Sequence, residues 1–135
     1  MKDKYLKAFM QMTEVFAETS EATRLKVGAL IVQGDQIISQ GVNGTYSGWE
    51  TNLCEDADGS TSWSTRHAER AALDKLIRST SSSEGATMFI THAPCKMCSL
   101  SIKEAGIKKV YYRNAYREDF GVSYLQSNGV VVTQI

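Results

Sequence analysis

A chain of 135 residues, 42% hydrophobic and 22% charged, is sized and composed for one folded domain (1–135) with its own core. Its 15 basic and 15 acidic residues cancel and no long Lys/Arg run occurs, so nucleic acid is not an expected partner, although one or two local cations suffice for a small anion. No apolar run nears the roughly 20 residues of a membrane span, the N-terminal stretch mixes both charge signs unlike a signal peptide, and three cysteines, an odd count, suit a reducing cytoplasm better than a disulfide framework.

Tyr5, Phe9, Met12 and Phe16 recur at helical spacing and predict a first helix over residues 3–18 with that stripe in the core. Two β-branched runs, 27–32 and 37–42, flank Gln-Gly-Asp-Gln and read as an antiparallel hairpin. Residues 44–64 are polar and rich in Gly, Ser, Asp and Thr. A loop this long in a small domain is usually functional or a cover; it carries Trp49, Cys54 and Trp63. Ser64 or Thr65 is suited to cap a second helix that runs to residue 79. A strand follows at 86–91, then a third helix at 95–106 ended by Gly106. A strand at 108–113, a fourth helix at 115–128 and a last strand at 129–135 complete the chain. This order predicts an α/β fold with a five-stranded mixed sheet, its first two strands an antiparallel hairpin and its later strands parallel. Sites in such sheets form at helix N-termini beyond the strand ends.

Two short stretches fall at predicted helix starts: Thr-Arg-His-Ala-Glu at 65–69 and His-Ala-Pro-Cys-Lys-Met-Cys at 92–98. Cys95 and Cys98, three apart, share a helix face, and a helix N-terminus favours their thiolate form. Pro94, the sole proline, suits the start of that helix. His67 offers a third ligand of a kind zinc accepts. Three protein ligands with one position open is the catalytic zinc pattern, whereas structural zinc takes four. A closed site has only His92 or Cys54 to draw on. Glu69 follows His67 by two residues, which in mid-helix turns the side chains about 200° apart. The pair meets at one centre only if His67 lies at the helix end. There the carboxylate takes a proton from water activated by the ion and hands it on; complementing the helix dipole is the plainer reading of Glu69. His-x-Glu followed, after a strand, by Pro-Cys-x-x-Cys is a known signature of zinc nucleobase deaminases.

With Lys-Val-Gly-Ala-Leu-Ile-Val from residue 26, the Gly-Val-Asn-Gly turn at 41–44, and the run Glu-Gly-Ala-Thr through Lys-Lys-Val-Tyr-Tyr at 84–112, the chain resembles the deoxycytidylate (dCMP) deaminases, above all the compact phage-type enzymes, over about residues 24–128. The resemblance implies a cytidine-deaminase-like three-layer α/β/α fold. It implies one catalytic Zn2+ per chain on His67, Cys95 and Cys98, with Glu69 as proton shuttle. The implied reaction is hydrolytic deamination of dCMP to dUMP and ammonia. Implied substrate contacts are Asn43 near the sugar, Arg24 (ahead of Lys26) and Tyr116 near the phosphate, and Ala68 and Pro94. His92 stands where the family commonly has a small or apolar residue, and either lines the base pocket or has a supporting or core role. The family also implies a homo-oligomer, commonly a hexamer, and dCTP and dTTP as effectors. The chain departs from the pattern in having Val42 where many members have tyrosine. Its loop at 44–64 holds one cysteine and no histidine, so a second zinc is not expected. That loop is short and altered in the region of effector control, which with Val42 puts that regulation in doubt and leaves room for dCTP as a substrate as well as an effector. Deaminases of tRNA adenosine, free cytidine and riboflavin intermediates share the motif. The chain's zero net charge, its hairpin and the lack of a reductase domain argue against each in turn. A four-ligand site would instead mark a non-catalytic zinc protein.

Overall fold

Strands that are apolar on both faces belong to a sheet covered on two sides, and the central runs here have that pattern. The computed structural model describes residues 1–135. The elements run α1 (Asp3–Ala17), β1 (Gly28–Gln33), β2 (Gln36–Val42), β3 (Gly44–Thr45), β4 (Thr65–Arg66), α2 (Ala68–Ile77), β5 (Thr87–His92), α3 (Lys96–Glu104), β6 (Lys109–Asn114), α4 (Phe120–Ser127) and β7 (Val131–Gln134). The main sheet has the order β2-β1-β5-β6-β7. β1 is antiparallel to β2 and to β5, while β5, β6 and β7 run parallel. This is the expected α/β architecture with a mixed five-stranded sheet.

Side chains alternate across each strand. Ala29, Ile31, Met88, Ile90 and Val110 face one way and meet Ala72, Leu76, Ile102 and Leu125 of α2, α3 and α4. Leu30, Val32 and Phe89 face the other way, under Phe9 and Met10 of α1. Three layers result, α1 on one face and three helices on the other.

Four features differ from the sequence expectations. The buried face of α1 is Phe9, Met10, Thr13 and Ala17, while Tyr5 and Met12 are about half exposed, 48% and 47%. Thr13 fits the core because its hydroxyl donates to the Phe9 carbonyl at 2.7 Å. Residues 44–64 are not one plain loop: β3 pairs with β4, and Glu55 bridges Thr61 across a turn held by Asp56 and Ser60. That pairing keeps Thr65 and Arg66 extended, so α2 starts at Ala68 rather than after a Ser64 or Thr65 cap. The fourth helix begins at Phe120, and residues 115–119 form a connection instead.

Gly41 of β2 fixes how close α2 lies. A Cβ there meets the Ala68 carbonyl oxygen and the Ala72 nitrogen, both at 2.5 Å. Those are backbone atoms of the helix that carries Glu69, and backbone cannot turn aside as a side chain does. Gly41→Ala is expected to lower stability by about 3 kcal/mol, roughly 10 °C in Tm, read by thermal melting. A Tm within a degree or two of the parent removes this account of the packing.

Candidate active site

The extended β4 delivers His67 to the end of α2, where φ −68° and ψ 155° make it the N-cap. Its ring direction is therefore set by extended backbone rather than by the helix. Glu69 follows in the first turn and is buried, 5% exposed. The requirement that His67 lie at a helix end is met. Cys95 repeats the arrangement on α3: it is the N-cap at φ −73° and ψ 172°, and its Sγ accepts the Cys98 N–H at 3.5 Å. Pro94 stands one residue before the cap, not within the first turn. A Cβ at Gly121 collides with the Pro94 carbonyl oxygen, so α4 packs directly on this turn.

His67 Nδ1 lies 3.3 Å from Cys98 Sγ and 3.5 Å from Cys95 Sγ. All three ligand atoms fall within 4.8 Å of one another. Tetrahedral zinc, with Zn–S about 2.3 Å and Zn–N about 2.0 Å, separates its N and S ligands by about 3.5 Å. The residues present fit zinc. Neither His92 nor Cys54 belongs to the cluster, which leaves three protein ligands and an open position.

The electrostatics of Cys95 point the same way. The Cys98 thiol and the His67 ring hydrogen-bond Cys95 and hold it down to about 4. The same pairing, with burial, pushes Cys98 well above the ordinary thiol range. The contact with Cys95 raises His67. Cys95 is thus favoured as the thiolate, and a bound cation would favour ionisation of Cys98 as well. Burial pushes Glu69 up to about 7, which matches a group that takes and returns protons near neutral pH.

One cavity of about 390 Å³ joins these groups. His67, Glu69, Cys95, Ala68 and His92 line it together with Asn43, Arg24 and Tyr116. Lys26 is exposed and, like Pro94 and Cys98, is not part of the lining. Asn43 Oδ1 accepts from Ser20 Oγ and the Val27 N–H, each at 2.8 Å, and its Nδ2 donates to the Leu25 carbonyl at 2.8 Å. This amide holds the segment before β1 and has one N–H to spare.

Sequence reasoning missed Arg117, Glu55 and Thr61, which also line the cavity. Arg117 comes in because residues 115–119 are not helical. Thr61 anchors Arg24 Nη2 at 3.1 Å, and Glu55 accepts Thr23 Oγ1 at 2.7 Å. The turn at 55–61 is thereby fastened to the Thr23–Arg24 segment and walls the cavity. Its only sequence signal is Asp-Ala-Asp-Gly-Ser, a turn composition. Trp49 and Trp63 pack edge to face at 5.3 Å and do not line the cavity.

An imidazole and two thiols at paired helix N-termini, with an open position and a buried carboxyl beside them, define a zinc-dependent hydrolytic centre. The chain belongs to the cytidine and deoxycytidylate deaminase zinc-binding family, whose pattern its residues 3–114 match, and it is a hydrolytic deaminase. It is 46% identical to the dCMP deaminase of cyanophage S-TIM5 in complex with dCMP and dUMP, with a TM-score of 0.98 over 100% of this chain and 99% of that one. It is 34% identical to ComE operon protein 2 of Bacillus subtilis, covering 94% of this chain and 69% of that protein. With the deoxycytidylate deaminase of Enterobacteria phage T4 it shares 30% identity over 79% of this chain and 76% of the phage protein. No helix is long and apolar enough to cross a membrane.

Proposed function

We propose that the chain converts dCMP and water to dUMP and ammonia. The observation that carries this reading is one cavity lined by two members of the three-ligand cluster, His67 and Cys95, by the buried Glu69 and by two arginines, Arg24 and Arg117. Similarity over the whole chain to a cyanophage enzyme complexed with dCMP and dUMP supports the choice of nucleotide.

In this reading His67, Cys95 and Cys98 hold zinc, which supplies the Lewis acidity that makes water a nucleophile at neutral pH. Glu69 accepts a proton from the attacking water and delivers it to N3 of the cytosine ring. It then carries the water's remaining proton, from the new hydroxyl on C4, to the amino group, which leaves as ammonia as the C4 carbonyl forms. Ala68 contributes a first-turn N–H of α2, one of the donors a helix leaves unpaired. The spare Asn43 N–H takes a sugar oxygen. Arg24, Arg117 and Tyr116 take the phosphate, and Lys26, outside the lining, is left out of the assignment. Three free thiols, two of them ligands, suit a reducing cytoplasm. Trp63, 84% exposed beside Trp49, supports a homo-oligomer; the hexamer is what the family resemblance implies.

Ammonia release from deoxycytidine, CMP, dCMP, dCTP and adenosine-containing RNA tests the assignment. Turnover of dCMP is expected to exceed that of deoxycytidine by at least about a hundredfold in kcat/KM, since two charge-assisted contacts to phosphate are lost. Turnover of dCTP extends the reading to the triphosphate. A zinc-loaded protein inert toward dCMP overturns it.

A further inference from the structure

His92 ends β5, and the alternation that directs Met88 and Ile90 toward α2, α3 and α4 directs His92 to the same side, into the cavity wall. Its Nδ1 lies 2.9 Å from Thr91 Oγ1. The Thr91 hydroxyl is buried and also accepts the Gly28 N–H at 3.1 Å. A buried hydroxyl proton needs an acceptor. Gly28 offers only a donor here, so the proton goes to Nδ1. The ring proton must then sit on Nε2.

The surroundings keep this arrangement in place. Asn114 Nδ2 donates to the Thr91 carbonyl at 2.8 Å, and the Ala93 N–H donates to the Asn114 carbonyl at 2.8 Å. Burial pushes the His92 pKa below the usual imidazole range, which favours the neutral ring. Its Nε2–H has no partner within the protein, while the cavity it lines is the one that takes the nucleotide in the reading above.

We infer that His92 binds the nucleotide through a tautomer-locked Nε2–H donated to one of its oxygens, with Thr91 as the positioning residue that fixes the tautomer. A neutral donor suits a cavity that the metal ligands His67 and Cys95 also line. It orients an oxygen of the base, sugar or phosphate without setting another positive charge beside the metal site. Thr91 acts only through the ring, passing the orientation of the β1–β5 backbone to the ligand.

The inference rests on the dCMP reading, and the test separates the two. Zinc-loaded wild type, His92→Leu, His92→Gln and Thr91→Val are compared by dUMP calorimetry, dCMP kinetics and ¹H–¹⁵N NMR of the imidazole. His92→Leu is expected to weaken dUMP and raise KM by about five- to tenfold, with kcat changed by no more than about twofold. His92→Gln, whose amide N–H reaches the same region, is expected to recover most of that loss. Thr91→Val is expected to mix the tautomers and give an intermediate loss. Repeating the calorimetry with deoxyuridine identifies the oxygen: an equal penalty means base or sugar, a vanished penalty means phosphate. Unchanged dUMP affinity in His92→Leu, no recovery in His92→Gln, or an unprotonated Nε2 in the wild type each overturns the inference. Wild type that neither binds dUMP nor turns over dCMP overturns the dCMP reading, while the tautomer is still read on the protein alone.

Discussion

Glu69→Gln is expected to retain one zinc per chain and to lose at least about a thousandfold in kcat for dCMP. The amide fills the same space but neither takes a proton from water nor returns one to the base. Glu69 is outside the His67–Cys95–Cys98 cluster, so metal binding does not depend on it. Nor does the fold: burial already disfavours the charged carboxyl, as its rise to about 7 reflects, so the variant is expected to melt no lower than the parent. Zinc content, a melting curve and ammonia release from one preparation decide the matter. Turnover within tenfold of wild type refutes the proton-carrying role. Lost zinc refutes its separation from the ligand set.

Much of this centre was legible because its spacing makes sense only at helix ends. His67 and Glu69 diverge in mid-helix but converge when the first is a cap and the second lies in the first turn, and Pro94 marks the start of the other helix. The sheet was legible from β-branched runs that are apolar on both faces. Less was legible where tertiary contacts override local pattern. Met12 and Tyr5 read as core by hydrophobicity, yet Thr13 and Ala17 are the buried neighbours, because α1 lies so close to β1 that a Cβ on Gly28 comes within 2.6 Å of the Thr13 carbonyl oxygen. Residues 115–119 have acceptable helix composition, yet the chain from β6 must first pass the cavity, which brings in Arg117. The wall made by Glu55 and Thr61 depends on contacts 32 and 37 residues away in sequence, at Thr23 and Arg24, and no window of local sequence contains such a pair.

Cys98→Ser is expected to bind zinc at least about a hundredfold more weakly and to lose turnover with it. Cys98 is the buried member of the trio and the nearer thiol to His67 Nδ1, at 3.3 Å. A serine hydroxyl does not ionise at neutral pH, and its shorter bond to carbon moves the ligand atom away from the ring. The start of α3 is expected to survive, because the bond that caps it runs from the Cys98 backbone N–H to Cys95 Sγ. Stability carries a second readout. An ion bound only by the folded chain adds about 4 kcal/mol at a thousand times its Kd, so a chelator is expected to lower the wild-type Tm by roughly 10–15 °C. The variant is expected to melt near the chelated wild type and to ignore the chelator. Cys54→Ser is the discriminating comparison. Cys54 lines the same cavity but lies outside the trio, so this variant is expected to keep one zinc per chain. If Cys54→Ser also sheds its zinc, the ion has four protein ligands. The open position then disappears, and hydrolytic chemistry loses the place where water is activated.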